Sequence, residues 1–460
     1  MGNGLGVGVF NAVNAEQYAT AISTIDGGQR EVLVSPLTNY NVMVFDQNLK
    51  NNSSLTFTNT NVWRSGSFYD ANVSALNFNV NTANNDYNIN GKGIISSQFD
   101  QNNTLGHNLN LNVQKQRGAL IGGIGYLEES DTYDPNDLGF NYNNNRRIFE
   151  ISSAYREFNP KWETLMKWTV SANFSQTYLY NPQAFTSNMA SLNFFTVTKR
   201  FNAMGFNGGV TPNATRDYFE PRSWGSVFNI PRLAFVNAWF SSNYQKPFAL
   251  DIGGNFLAYE HSPWKQYAYN ISPRIRIADA LFLVYNFEKE LQVNNFGYAI
   301  AFGDPAQDVD GILFGQRDRN TTIQGLSADY ILTNRMALSL RLRHYRSTLK
   351  YAAYFTLQED GSLMALPDFN GLSAQGKPAY DINYNAFTID FVYRWVFMPG
   401  SELNIVWKNS VFAGNDAVST PYWQDLSNTL QTGALNSFSM KLIYWLDAQQ
   451  LKKSRSQLPR

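Results

Sequence analysis

The sequence contains no cysteine and only three histidines, His107, His261 and His344. The first absence excludes a disulfide framework and thiolate chemistry. The second leaves little for imidazole catalysis, and the three histidines fall on separate segments. There is no HExxH pair, no Gly-x-Ser-x-Gly elbow, no phosphate-binding glycine loop and no cluster with metal-ligand spacing. Neither an enzyme nor a cofactor is expected from these residues. An enzyme here would need a rim site assembled only on folding. Charge is also scarce: Asp, Glu, Lys and Arg make up 16% of the 460 residues, against about 25% in soluble domains. The 36 basic residues balance the 36 acidic ones, so nucleic acid, which calls for a basic patch or stripe, is excluded as a partner. No run of 18 apolar residues exists, which excludes a transmembrane helix. The amino terminus has neither a basic n-region nor an apolar h-region, so the chain is read as a mature form or a fragment missing its start.

What the chain does have is aromatic residues, 15% of the total with 26 tyrosines, and a sustained period of two. Leu109, Leu111 and Val113 oppose Asn108, Asn110, Asn112 and Gln114. Met336, Leu338, Leu340 and Leu342 oppose Ser339, Arg341 and Arg343. Phe387, Ile389, Phe391, Tyr393 and Trp395 oppose Thr388, Asp390 and Arg394. Such alternation predicts strands with one apolar and one polar face. Runs of about 9–13 residues suit a tilted bilayer crossing, and a mean hydropathy of -0.34 fits a membrane sheet that averages its two faces. No long apolar stripe of helical spacing appears. Short polar turns, as at Lys50-Asn51-Asn52 and Pro399-Gly400, alternate with long connections near residues 13–38, 128–143, 212–231, 294–318, 357–384 and 411–435. The expected fold is therefore all-β. It is a transmembrane antiparallel up-and-down β-barrel of about 20 strands over residues 1–446, in the outer membrane of a Gram-negative bacterium. A polar basic tail, residues 447–460 with Lys452, Lys453 and Arg455, follows it.

The alternation places Arg274, Arg276, Arg341, Arg343, Arg394, Lys408 and Lys441 in the lumen. Asp251, Asp329 and Asp390 share that register, with Glu150 and Glu288. A charged solute pathway and an interior salt-bridge lattice both fit this mixture of signs. Trp63, Phe68, Tyr69, Trp264, Tyr267, Tyr269, Trp395, Phe397, Trp407, Tyr444 and Trp445 read as interface girdles. Tyr218, Phe219 and Trp224 offer a stacking platform in a loop. Two acid-rich loops, with Asp131, Asp134 and Asp137 and with Asp304, Asp308 and Asp310, are weak candidates for a bound cation. Asp-Pro and Asp-Gly are also ordinary turn dipeptides.

Several segments resemble one family. They are GLGVGVFNA at Gly4–Ala12, PLTNYNV at Pro36–Val42, WRSG at Trp63–Gly66 and YDPNDLGF at Tyr133–Phe140. YFEPR at Tyr218–Arg222, FGQRDR at Phe314–Arg319, PGSEL at Pro399–Leu403 and NSFS at Asn436–Ser439 continue the series. The chain resembles outer-membrane barrels found mainly in Bacteroidota and catalogued as a domain of unknown function. Full-length members of that family carry a carbohydrate-binding-like (family 9) module before the barrel. The resemblance implies an outer-membrane barrel and supplies no catalytic residues. It also implies one or two strands upstream of Met1, giving about 22. The expected function is a porin-like channel or transport component in contact with outer-membrane lipid and lipopolysaccharide. The alternative is an assembly platform for outer-membrane or periplasmic proteins, with its lumen plugged.

Overall fold

The computed structural model describes residues 4–24, 27–301, 304–307 and 309–446. The expected tail at 447–460 and Asp308 lie outside the described residues. Strands β1 (Leu5–Asn14), β2 (Gln17–Ile22), β3 (Gln29–Ser35), β4 (Thr38–Leu49), β5 (Ser53–Arg64) and β6 (Asp70–Asn81) open the chain. Then come β7 (Tyr87–Phe99), β8 (Thr104–Lys115), β9 (Leu120–Glu129), β10 (Arg146–Glu157), β11 (Leu165–Tyr178), β12 (Phe185–Thr198) and β13 (Ala203–Val210). After β14 (Thr215–Asp217) and β15 (Phe228–Ile230) follow β16 (Leu233–Ser241), β17 (Phe248–Tyr259), β18 (Lys265–Ala278), β19 (Leu281–Tyr298) and β20 (Leu313–Thr333). The chain continues with β21 (Met336–Leu357), β22 (Leu363–Ala365), β23 (Ile382–Met398), β24 (Ser401–Asn415), helix α1 (Tyr422–Leu430) and β25 (Leu435–Ile443).

One antiparallel sheet takes 21 of these strands. Setting aside the three-residue β22 leaves 20 strands of eight or more residues, the number expected from the sequence. The sheet is not closed on itself in this structure. The chain divides into two compact units. Unit 1 is Met1–Pro160, Lys167–Phe194 and Gly209–Arg216; unit 2 is Lys161–Met166, Phe195–Gly208 and Asp217–Arg460. Within unit 1 the ladder runs β1, β4, β5, β6, β7, β8, β9, β10, β11, each strand paired to the next. Within unit 2 it runs β16, β17, β18, β19, β20, β21, β23, β24, β25.

Up-and-down order follows from the turns. Asn51 and Asn52 both have positive φ, 60° and 55°, which joins β4 to β5 through a turn whose twist matches that of the strands. Asn tolerates this left-handed backbone because its short polar side chain bonds locally. The cross-strand register keeps the two faces separate over many strands. Leu340 lies opposite Phe391, Phe391 opposite Trp407, and Trp407 opposite Phe438. Val113, Ile124, Ile151 and Phe174 form the same kind of apolar row in unit 1.

Three expectations need correction. The long/short alternation of connections is not strict: residues 65–69, 100–103, 179–184 and 260–264 are further short links, lying outside the six long connections read from the sequence. Strand length is not confined to 9–13 residues, since β20 has 21 and β21 has 22, about twice what a bilayer crossing requires. One helix, α1, interrupts the last long connection. Its buried residues are Asp425 and Thr429, so its contact face is polar and leaves no apolar stripe to detect.

Candidate functional site

The polar face is the surface on which function can be built. All ten charges expected in the lumen fall on one face of unit 2. The rows run from Arg276 through Phe282 and Asp329 to Ser339, from Arg341 through Asp390 to Lys408, and from Arg394 through Asn404 to Lys441. Five of the ten are neutralised locally. Arg274 Nε donates to Asp251 at 2.8 Å and stacks over Tyr244. Ser241 and Tyr244 donate to the same carboxylate at 2.5 and 2.6 Å. Lys408 lies 3.6 Å from Asp390, and Arg394 donates to Glu402 at 2.7 Å. Asp329 accepts from Ser339. Arg341 and Arg343 are exposed and make no hydrogen bond or ion pair among the described residues.

Higher on this face β16 to β21 line a cavity of about 340 Å³. The register builds it. Asn270 pairs with Glu288, Asn255 with Ala268, and Glu290 with Thr321. Gly253, opposite Asn270, carries no Cβ, and one there would collide with the Asn270 amide. Glu290 is saturated by Arg319 Nη2 at 2.8 Å, Gln292 at 2.9 Å and Gln266 at 3.4 Å. Glu288 makes no hydrogen bond among the described residues. Unit 1 has a smaller polar-face cavity of about 270 Å³, lined by Asn112, Gln114, Glu150, Ser152, Asn173 and Ser175 among others.

Each unit also folds a loop over its own polar face. In unit 1, residues 130–145 cross β5 to β8. The Asp134 amide donates to Ser96 Oγ at 3.1 Å, Thr132 donates to the Leu105 carbonyl at 2.6 Å, and Thr132–Tyr133 backbone fills the space left by Gly106. Arg64 pairs with Asp137, and Tyr69 donates to it. Tyr133 is buried, and desolvation pushes its hydroxyl up to about 12. Asp131 accepts from Asn181 and Asp134 from Gln98. The three acids of this loop are thus held by three separate partners. Asp304 and Asp310 are exposed, and among the described residues no three His, Cys, Asp or Glu gather around one point. In unit 2, Tyr354, Tyr380, Leu313 and Ala379 form a small core with Phe369 packed against it. Burial raises the carboxyl pKa of the adjoining Asp381.

The whole of residues 1–455 matches a family described as a domain of unknown function, DUF5916. The chain belongs to the DUF5916 family. Among solved structures, the outer-membrane protein OmpT of Vibrio cholerae is similar at 12% identity and a TM-score of 0.32, with 77% of this chain and 97% of that one covered. The siderophore receptor PirA of Acinetobacter baumannii is similar at 9% identity and a TM-score of 0.41, covering 90% and 75%. No curated protein matches.

The apolar face of this DUF5916 chain changes character toward the long loops. Leu338, Leu340 and Leu342 are followed on the same face by His344, Arg346 and Thr348. Helix α1 covers them. Arg346 Nε donates to Asp425 Oδ2 at 2.6 Å, and Asn383 donates to the same oxygen at 2.8 Å. The Tyr422 hydroxyl meets His344 Nδ1 at 2.5 Å, and burial pushes Tyr422 up to about 12. In unit 1 the same face ends in Glu128, which accepts from Arg147 at 2.5 Å, with His107 at 3.0 Å. Trp264 belongs to this level as well. It was expected in a girdle, but it is buried with Phe228 and Phe314 and stacked on Tyr259 at 4.0 Å. Phe219 and Trp224 are exposed in their loop.

Sequence reasoning missed the cavity residues Asn270, Glu290, Arg319 and Tyr345. One signal was present. Continuing the alternation of Ser339, Arg341 and Arg343 by one step puts Tyr345 on the polar face.

Proposed function

We propose that this chain is an outer-membrane β-barrel protein that passes a polar solute through a water-filled lumen, as a channel or transport component. The observation that carries this reading is the polar face itself. It holds charges of both signs in locally paired sets, and it leaves Arg341 and Arg343 unpaired and exposed. Charges placed toward lipid would cost about 2–4 kcal/mol each at mid-depth, so this face belongs to water and the leucine-rich face to outer-membrane lipid and lipopolysaccharide. A barrel of about 20 strands is wide enough for an aqueous passage. The loops laid over the polar face support a narrowed passage.

The same loops favour a second reading, an assembly platform with an occluded lumen and outer-membrane or periplasmic partner proteins. Conductance of the purified full chain in planar lipid bilayers separates the two. Discrete conductance steps support the channel; a sealed bilayer at every tested voltage and salt concentration sinks it.

A further inference from the structure

The cavity on the polar face of unit 2 has a lining that its own fold does not use up. Asn237, Asn255 and Asn270 make no side-chain hydrogen bond among the described residues, and Glu288 is equally free. Free amides and a free carboxylate in one concave wall are open hydrogen-bonding capacity, since each amide offers two donors and an acceptor. Their neighbours are fixed. Glu290 is held by Arg319, Gln266 and Gln292, so it lends shape without competing for a solute. Thr321 and Ser347 are linked at 3.1 Å. An apolar wall is present too: Tyr345 lines the cavity and is braced edge-on by Tyr384, with ring centroids 6.1 Å apart.

We infer that this cavity is a binding subsite for a neutral polyhydroxylated solute, a mono- or disaccharide. The chemistry matches group by group. Sugar hydroxyls both donate and accept, which suits amides that do the same. A carboxylate accepts from two adjacent hydroxyls. An aromatic face covers the C–H surface of a pyranose ring. A phosphorylated or carboxylated solute is disfavoured by Glu288, because both cations of the lining are already engaged: Arg319 is neutralised by Glu290, and Lys289 donates to Asn320 and Thr322. The volume of about 340 Å³ falls in the lower part of the usual range of roughly 300–1,000 Å³ for ligand sites. The unit 1 cavity has free Glu150 and several short polar side chains, and Phe174, the aromatic residue in its lining, belongs to the apolar row of the opposite face with Val113, Ile124 and Ile151. It therefore lacks the ring-stacking surface and is not assigned the same role.

This subsite rests on the channel reading, and the test keeps the two apart. The full chain is reconstituted in planar bilayers and titrated with glucose and with maltose. The same protein in detergent is examined by saturation-transfer NMR with each sugar. The expected result is a saturable block of current and a transfer signal for at least one sugar. Tyr345→Ala should weaken it tenfold or more and Glu288→Gln several-fold, each read as the sugar concentration for half-maximal block and for half-maximal transfer signal. Tyr345→Phe, which keeps the ring, should retain binding. A conducting protein that shows neither block nor transfer signal overturns the subsite. So does binding that is unaffected by Tyr345→Ala and Glu288→Gln. A non-conducting protein overturns the channel reading, and the NMR titration then still decides the subsite.

Discussion

In unit 1 the apolar face meets its loop end with Asn11, Asn39 and Asn41 bonded to one another and with the half-open Glu128–Arg147–His107 group. In unit 2 the loop end of the leucine-bearing strand face carries a nearly dry Arg346–Asp425 pair at helix α1. The difference follows strand height. The strands of unit 1 have 10–14 residues along its ladder, while β20 and β21 of unit 2 have 21 and 22. A strand that stops near the membrane surface needs only a modest polar ending. A strand that rises well past it exposes two faces to water, and the former lipid face must then be made polar or covered. Unit 2 does both.

The largest effect should come from breaking the covered pair. Removing one partner of a buried ion pair leaves an uncompensated charge and costs about 3–5 kcal/mol. Asp425→Ala should therefore lower unfolding stability by that amount in a denaturant titration and open residues 416–434 to protease. Replacing both partners, Arg346→Met with Asp425→Leu, should recover most of the loss. A single variant as stable as the parent would mean that α1 is not docked through this pair.

The next test sharpens the face assignment below that level. Leu340→Arg should cost about 2–4 kcal/mol in lipid, whereas Ser339→Arg, one residue away on the polar face, should cost far less. Equal costs in a folding titration would reverse the faces of unit 2. In unit 1, Glu128→Gln keeps the shape but weakens charged hydrogen bonds to Arg147 and His107, worth about 1.5–3 kcal/mol for such groups. The partial exposure of this group places the expected loss at the low end. A loss as large as that of Asp425→Ala would erase the contrast between the units.

How much of this was legible depended on which physics the residue reports. Alternation around Leu340 and Asp390 reads directly, because a bilayer penalises the wrong face and water rewards the right one. The strand count followed from turn residues such as Asn51-Asn52. Helix α1 did not read, because its buried side is Asp425 and Thr429 and satisfies itself by hydrogen bonds rather than apolar contact. The overhang of β21 was hidden for a related reason. Above the membrane both His344 and Tyr345 are acceptable to water, so period two loses its meaning there. Trp264 was assigned to a girdle because an aromatic residue near a strand end looks the same whether lipid or a loop core covers it. The cavity needed the register itself, since Asn270, Glu288 and Tyr345 are far apart in sequence.

The smallest effect is expected where a charge pair is open to water. Lys408 and Asp390 lie 3.6 Å apart with side chains 63% and 42% exposed, against 9% and 2% for Arg346 and Asp425. Exposed pairs contribute about 0–1 kcal/mol, because water already solvates both charges and ordering the side chains costs entropy. Lys408→Met should leave unfolding stability within that margin, and its effect should fall further at high salt. It should still change the ionic selectivity of conductance, since it removes one positive charge from the polar face. A stability loss near that of Asp425→Ala, independent of salt, would mean that water does not reach this face. The passage would then be sealed at the height of Asp390.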